Sequence, residues 1–402
     1  MRDAVIVEAV RTPVGKGKPG GAYSEVHPVE LHAHAIRSVV ERVPGLRPHE
    51  IDDVIGGVVG QVGEQSGNTT RFAAITAGLP ESVPGVTVDR QCGSSQQALS
   101  FAAQGVIAGA YDIAVASGVE SMSHVPIGSS ALVDGVRQDV AGPAIPRIYP
   151  GGLIPQGVSA ELIARKWGLS RAQLDEFSAT SHQRAAAAWD QGFFAGQVAP
   201  LKVTRADGTV SQLDRDETIR PGTTVETLAG LRPAFADARW TDRFGAIDWK
   251  ITAGNSSPIN DGSAALLVTT SDLAVQRGWR PRARIHTTTV VGDDPILMLT
   301  GIIPATAKVL ARAGLTIDDI DAFEVNEAFA PVVLAWIAET GADPAKVNID
   351  GGAIAIGHPL GASGARLATT LLGTLERTGG RFGLQTMCEA GGTANATILE
   401  RL

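Results

Sequence analysis

Apolar positions fall into two textures along this chain. Short β-branched runs at residues 4–10, 53–59, 111–116 and 264–268 are nearly continuously apolar, the pattern of strands covered on both faces. Between them lie longer alanine-rich stretches in which apolar residues recur at helical spacing. Alternation of the two predicts an α/β protein with largely buried strands. A helix over 170–188 is the plainest single element, opening on Ser170 as a cap and continuing through an alanine-rich body.

The order of parts occurs twice. Ile51-Asp52-Asp53-Val54-Ile55 resembles Ile317-Asp318-Asp319-Ile320-Asp321, each ahead of a strand-like run. Cys92-Gly93-Ser94-Ser95-Gln96 opens a small-residue helix ending near Gly109. His358-Pro359-Leu360-Gly361-Ala362 opens another, running to about Leu375. Strands follow at 111–116 and 382–387. This predicts a duplicated α/β domain. Residues 120–250 differ, with frequent Gly, Pro and charge and with Trp167, Trp189, Trp240 and Trp249. That segment reads as an insertion of loops on a rigid scaffold, suited to binding substrate. The expected units are 1–120 with 250–272 as an N-terminal core, 121–249 as the inserted loop domain and 273–402 as a C-terminal core.

Composition narrows the function classes. The 402 residues, 44% hydrophobic and 19% charged, suffice for two or three packed domains. A net charge of −8 without any Lys/Arg stripe argues against nucleic acid as a partner, while leaving room for a local arginine to hold a phosphate. No stretch approaches the roughly 18–20 apolar residues of a membrane span. The N-terminal run carries both acid and base, as a strand does and a signal peptide does not. Two cysteines are too few for a disulfide framework, so the expectation is a cytoplasmic protein with free thiols.

Four positions carry candidate chemistry. Cys92 lies at a strand-to-helix junction, where the helix N-terminus should lower its pKa and make thiolate available. A small buried hydrophobe is the alternative. His358, between glycine and proline at a helix start, is placed to deprotonate a thiol, or else to pack. Cys388 ends a strand before a Gly-rich turn. Asn326 follows the strand-like 321–325 run, where its amide could hold a water or an oxyanion, or cap a helix. His32 and His34 read as ordinary helix residues, and no metal-ligand cluster is visible. All four candidates stand where strands end and helices begin, the arrangement of cysteine–histidine acyl transfer.

In sequence the chain resembles the thiolases along essentially its whole length. The Cys92 segment, Asn326-Glu327-Ala328-Phe329, Gly357-His358-Pro359-Leu360-Gly361-Ala362-Ser363-Gly364 and the Cys388 turn resemble four signature blocks. The stretch from Thr252 to Gly262 resembles a pantetheine-binding loop. The resemblance implies two five-stranded βαβαβαββ cores in a layered α/β fold, a loop domain inserted in the first, and a homodimer or homotetramer. It implies that Cys92 is acylated, that His358 deprotonates it, and that Cys388 moves the proton of the substrate α-carbon or of incoming coenzyme A. Asn326, through a water, and His358 would form one oxyanion hole, and the backbone N–H groups of Cys92 and Ala390 the other. Ser257 would touch the pantetheine arm, with Arg220 and Arg232 near the nucleotide end. Coenzyme A enters as substrate, and no permanently bound cofactor is implied.

Departures from the family pattern bear on substrate. Ala390 and Ala394 stand where glycines are usual, and Ala390 would be strained if its φ were positive. Pro155-Gln156 replaces the His-Met pair of short-chain biosynthetic members, which puts Gln156 in the acyl pocket. Met298-Leu299-Thr300-Gly301-Ile302 is less rich in Gly and Pro than expected. These changes point to degradative cleavage of a 3-ketoacyl-CoA bulkier than acetoacetyl-CoA, from a fatty acid or a sterol side chain. The alternatives are a biosynthetic acetoacetyl-CoA-forming enzyme, a ketoacyl synthase of the same fold, and a non-catalytic lipid carrier. The Asn326 block and the retained cysteine speak against the last two.

Overall fold

A computed structural model describes residues 2–205 and 207–402. Among these, ten strands form one sheet. In chain order they are β1 (Val5–Arg11), β2 (Gly15–Lys16), β3 (Asp53–Gly57), β4 (Gly85–Val88), β5 (Ile113–Ser121), β6 (Asn260–Thr269), β7 (Ala283–Gly292), β8 (Ala322–Val325), β9 (Phe382–Glu389) and β10 (Thr393–Arg401). The spatial order is β8-β9-β10-β7-β1-β6-β5-β3-β4, with β2 against β6. β5, β6 and nearly all of β9 and β10 are buried, as continuous apolar runs require.

The helices that matter for the site are α1 (Pro28–Glu41), α2 (Thr69–Thr76), α3 (Ser94–Ala108), α4 (Gln156–Lys166), α5 (Arg171–Asp190), α6 (Ile302–Ala313), α7 (Ala330–Thr340) and α8 (Leu360–Thr378). The first half therefore runs β1-α1-β3-α2-β4-α3-β5-β6, a βαβαβαββ unit. The second runs β7-α6-β8-α7-α8-β9-β10. Its counterpart of β4 has shrunk to a single parallel bridge between Phe323 and Val347. Among the described residues the two halves join edge to edge where Val5 and Ile6 of β1 meet Arg284 and Ala283 of β7.

Duplication is visible in hydrogen bonds, in a register three residues later than the sequence echo suggests. Asp52 Oδ2 accepts from Asp112 N and Ile113 N, and Asp321 Oδ2 accepts from Arg381 N and Phe382 N. Ile51-Asp52 thus matches Ile320-Asp321. The repeated Ile-Asp-Asp string misleads because Asp319 caps the short 3-10 turn Ile317–Asp319, the role Glu50 plays before β3.

α3 and α8 lie against each other in the middle of the molecule, and small residues allow the approach. A Cβ on Gly364 would come within 2.2 Å of Gln96 N, and one on Gly118 within 2.2 Å of Gly361 O. Gln96 and Gln385 tie the pair to the sheet of the second half through Thr397 Oγ1 and Gly364 O. This close packing brings the two helix N-termini, and so Cys92 and His358, to one place. The insertion between β5 and β6 carries α4 and α5. Ser170 caps α5 in a reciprocal capping box with Gln173, as its sequence suggests.

Candidate active site

Cys92 occupies the turn between β4 and α3 and is 4% exposed. The residue before it, Gln91, has φ +48, a left-handed conformation uncommon for a residue with a side chain. Its strain is offset locally, because Asp89 Oδ1 accepts from Gln91 N at 2.6 Å. Such outliers persist where the surroundings over-determine them, and here the bend turns Sγ inward. Cys92 packs with Leu367 and Met387, and Leu360 closes over them.

His358 stands just before α8 and is also buried. Its backbone N donates to Asn260 Oδ1 at 2.9 Å, and its Nδ1 lies 2.6 Å from Ser363 Oγ. Ser363 Oγ donates its proton to Pro359 O at 2.8 Å. The hydroxyl therefore accepts from His358, so Nδ1 carries the ring proton and Nε2 is the basic nitrogen. Asn326 Nδ2 is 3.3 Å from that Nε2, while Asn326 Oδ1 is buried without a partner among the described residues. Asn326 does not cap a helix, because α7 begins four residues later with Phe329 as its cap. Its strand end is fixed by Asn348, which bonds both Val325 N and Val325 O.

Cys388 is the penultimate residue of β9 and pairs with Ala394 on β10. It lies near enough to Cys92 for a charge on one to affect the other. Both thiols are free and buried. The methyl of Ala394 faces Gly301, where an added Cβ would come within 3.1 Å, so the alanine's volume is matched by a glycine opposite.

The expected lowering of the Cys92 pKa is overturned. Burial pushes this thiol up to about 12, a charge on Glu389 adds to the rise, and a hydrogen bond from Gln156 opposes it. A helix end is worth only about 0.3–1 kcal/mol to an anion, whereas burying an isolated charge costs several. Burial likewise raises Cys388 well above the thiol range, and holds His358 down at about 3 with help from the Arg366 guanidinium. At rest both thiols and the imidazole are therefore neutral.

A cavity of about 380 Å³ opens in front of this group, walled by Met122, Gln156, Phe235, Ser257, Phe329 and His358. It gathers Gln156, Ser257 and His358 from three separate segments. Arg220 and Arg232 are not among its walls. Arg220 is exposed, and its backbone N donates to His182 Nδ1. Arg232 is exposed three residues before the wall residue Phe235. Ala390 does not have positive φ; the turn's left-handed residues are Gly391 (+85°) and Gly392 (+78°), so the strain considered for alanine does not arise. Strain appears instead at buried Met298, φ +29, in the segment lacking the expected glycines. His32 is an ordinary core residue on α1, bonded to Ser117 Oγ, and His34 bonds Ala199 O.

Reading for reactive types alone missed Ser363, Asn260 and Glu389. Ser363 was legible as a hydroxyl five residues after His358, and Glu389 as a carboxyl next to Cys388. Asn260 had no local signal, since its partner lies 98 residues away.

Residues 4–272 match the model of the thiolase N-terminal domain and residues 279–401 that of the thiolase C-terminal domain. The chain is 48% identical to a steroid 3-ketoacyl-CoA thiolase, FadA6, of Mycobacterium tuberculosis, over all of this chain and 95% of that protein. It is 45% identical to a 3-ketoacyl-CoA thiolase of Erwinia tasmaniensis over the full length of both. A crystal structure of the Bacillus anthracis acetyl-CoA acetyltransferase superposes with a TM-score of 0.89 at 36% identity, covering 100% of this chain and 99% of that one.

Proposed function

Because the chain belongs to the thiolase family, we propose that it cleaves 3-ketoacyl-CoA with coenzyme A, giving acetyl-CoA or propionyl-CoA and a shortened acyl-CoA. The observation that carries this is that His358 walls the cavity with Asn326, from a strand end, against its Nε2, while Cys92, at the start of the other central helix, packs against the wall residue Leu360.

The steps follow from the proton positions. His358 Nε2, unprotonated at rest, takes the Cys92 proton as Sγ attacks the substrate's C3 carbonyl. Transfer within the attack avoids a free buried thiolate, which the raised pKa disfavours. The C2–C3 bond then breaks, its electron pair goes to C2, and Cys388 supplies the proton that completes acetyl-CoA or propionyl-CoA. Cys388, now a thiolate, takes the proton of incoming coenzyme A, whose sulfur attacks acyl-Cys92. Acyl-CoA leaves, and Cys92 recovers its proton from His358.

Oxyanion charge is held by Asn326 through a water, together with His358, and by the N–H groups of Cys92 and Ala390. One such donor is worth roughly 3–4 kcal/mol in a dry site. Gln156 contacts the nucleophile and bounds the acyl group, and Ser257 meets the pantetheine arm. Arg220 and Arg232 serve the nucleotide end outside the cavity.

The apolar walls Met122, Phe235 and Phe329 support a bulky acyl group, from degradation of a fatty acid or a sterol side chain. Similarity to a steroid thiolase supports the same reading. Thiolysis rates across acyl groups, with mass detection of acyl-Cys92, test it. A sharp preference for acetoacetyl-CoA would overturn the degradative reading.

We also propose a homo-oligomer in the cytoplasm. The outer strand β4 exposes Val86, and the neighbouring helices α2 and α3 expose Phe72, Ile75 and Phe101, an apolar edge suited to a second copy. The mechanism needs both cysteines reduced, as a reducing compartment keeps them. No helix among the described residues is long and apolar enough to cross a membrane.

A further inference from the structure

Glu120 and Glu389 are counterparts in the two halves. β5 starts at Ile113 and β9 at Phe382, the residues whose N–H groups bond Asp52 and Asp321, and each glutamate is the eighth residue from that start. Each also reaches the first turn of the other half's central helix. Glu120 Oε2 accepts from Gly361 N at 2.8 Å, at the start of α8. Glu389 Oε1 lies against Gly93 at the start of α3, where an added Cβ would be only 2.0 Å from it.

Their surroundings differ in one respect. Glu120 is held by four donors: Val59 N, Gly60 N, Gln65 Nε2 and Gly361 N. Glu389, 0% exposed, has a single bond, accepted by Oε2 from Thr393 Oγ1 at 2.6 Å. Its Oε1 is buried without any partner among the described residues. A carboxylate there would leave buried charge unpaired, which a neutral acid avoids.

We propose that Glu389 is a positioning residue for the nucleophile: as the neutral acid it braces the Gln91–Gly93 turn that presents Cys92, and on ionising it puts a charge beside both thiols that opposes their deprotonation. The inference rests on Cys92 being the nucleophile. The charged or titratable groups that face Glu389 are Asp89 and Arg90 ahead of α3, Cys92 at its start, and Cys388 on the same strand. From β10 it meets the uncharged Thr393, and Asn395, also uncharged, shares its contact with Gly93. Burial pushes Glu389 up to about 8, Thr393 and Arg90 oppose this, and Asp89 adds to it. It is therefore neutral at pH 7 and ionises just above.

Alkylation of Cys92 by iodoacetamide, followed by peptide mass between pH 6 and 10 on the full chain, tests this without any acyl substrate. At pH 7, Glu389→Gln should react within about threefold of wild type, because the amide is a neutral isostere. Glu389→Ala should react about tenfold or more slower, since a displaced turn misaims Sγ. Above pH 8 the wild-type rate should flatten, whereas Glu389→Gln should keep rising about tenfold per pH unit as the thiolate fraction does. Flattening that persists in Glu389→Gln, or a Glu389→Ala protein as reactive as wild type, overturns the proposal. If Glu389→Ala fails to fold, the Glu389→Gln profile decides alone. Thiolysis and acyl-Cys92 are measured separately, so loss of the thiolase reading would be recognised apart from loss of this one.

Discussion

Ser363 Oγ sits 2.6 Å from His358 Nδ1 and gives its own proton to Pro359 O, so a hydroxyl one turn into α8 fixes which nitrogen of the imidazole is the base. Ser363→Ala removes that acceptor and leaves the Nδ1 proton buried without a partner. An unmade buried hydrogen bond costs about 1–3 kcal/mol, which is roughly 5–150-fold in rate if it is paid in aligning the base. The expected result is a kcat lowered by that factor with KM within about twofold. Equal changes in kcat for Ser363→Ala and for a surface serine control would remove the tautomer from the mechanism.

The neutral resting pair makes a second prediction. His358 is held down at about 3, below its ordinary value near 6.5, so it stays unprotonated as pH falls through 6. The sign is fixed: a lowered histidine pKa moves the acid limb of kcat/KM to lower pH. Thiolysis should therefore show no loss with an apparent pKa near 6.5 between pH 5.5 and 7. A limb there would mean that the imidazole is not desolvated in the free enzyme.

Much of this site was legible from residue types near helix starts, because Cys92, His358 and Asn326 each sit in a short block whose chemistry is local. The thiol's pKa was not legible. The helix end that should lower it is a feature of five residues, while the burial that raises it comes from Leu360, Leu367 and Met387, hundreds of positions away. The repeat was found but its register was not, since Ile-Asp-Asp strings match by letter while Asp52 and Asp321 match by the strand ends they cap. The reduction of one strand to the Val347 bridge likewise has no signature in the 344–350 segment itself.

Backbone conformation at the turn after Cys388 gives a test by sign. Ala390 does not adopt positive φ, so Ala390→Gly should only add freedom to the unfolded chain and destabilise by about 0.4–1 kcal/mol. Gly391 has φ +85 with nothing within 4 Å of an added Cβ, so Gly391→Ala should cost about 1 kcal/mol from backbone strain alone. Thermal melts measure both. A stabilising Ala390→Gly would show that alanine is strained at this position after all.

Gln156 walls the cavity and Asn326 lies behind it against His358, and the two act on different charges, so a pair of variants should separate them. The Gln156 side chain donates to the Cys92 sulfur, so it favours the thiolate before any substrate is present. Asn326 faces Nε2 of His358, and its Oδ1 has no partner among the described residues, a placement that serves charge arising only during reaction. Gln156→Ala should slow iodoacetamide alkylation of Cys92 by about tenfold, the worth of one hydrogen bond to a charged group. Asn326→Ala should leave alkylation within about threefold and lower kcat by about 10²–10³, the effect of deleting one oxyanion donor. If Asn326→Ala instead slows alkylation as much as it slows turnover, its amide acts by setting the His358 base, and the oxyanion role passes to the backbone donors of Cys92 and Ala390.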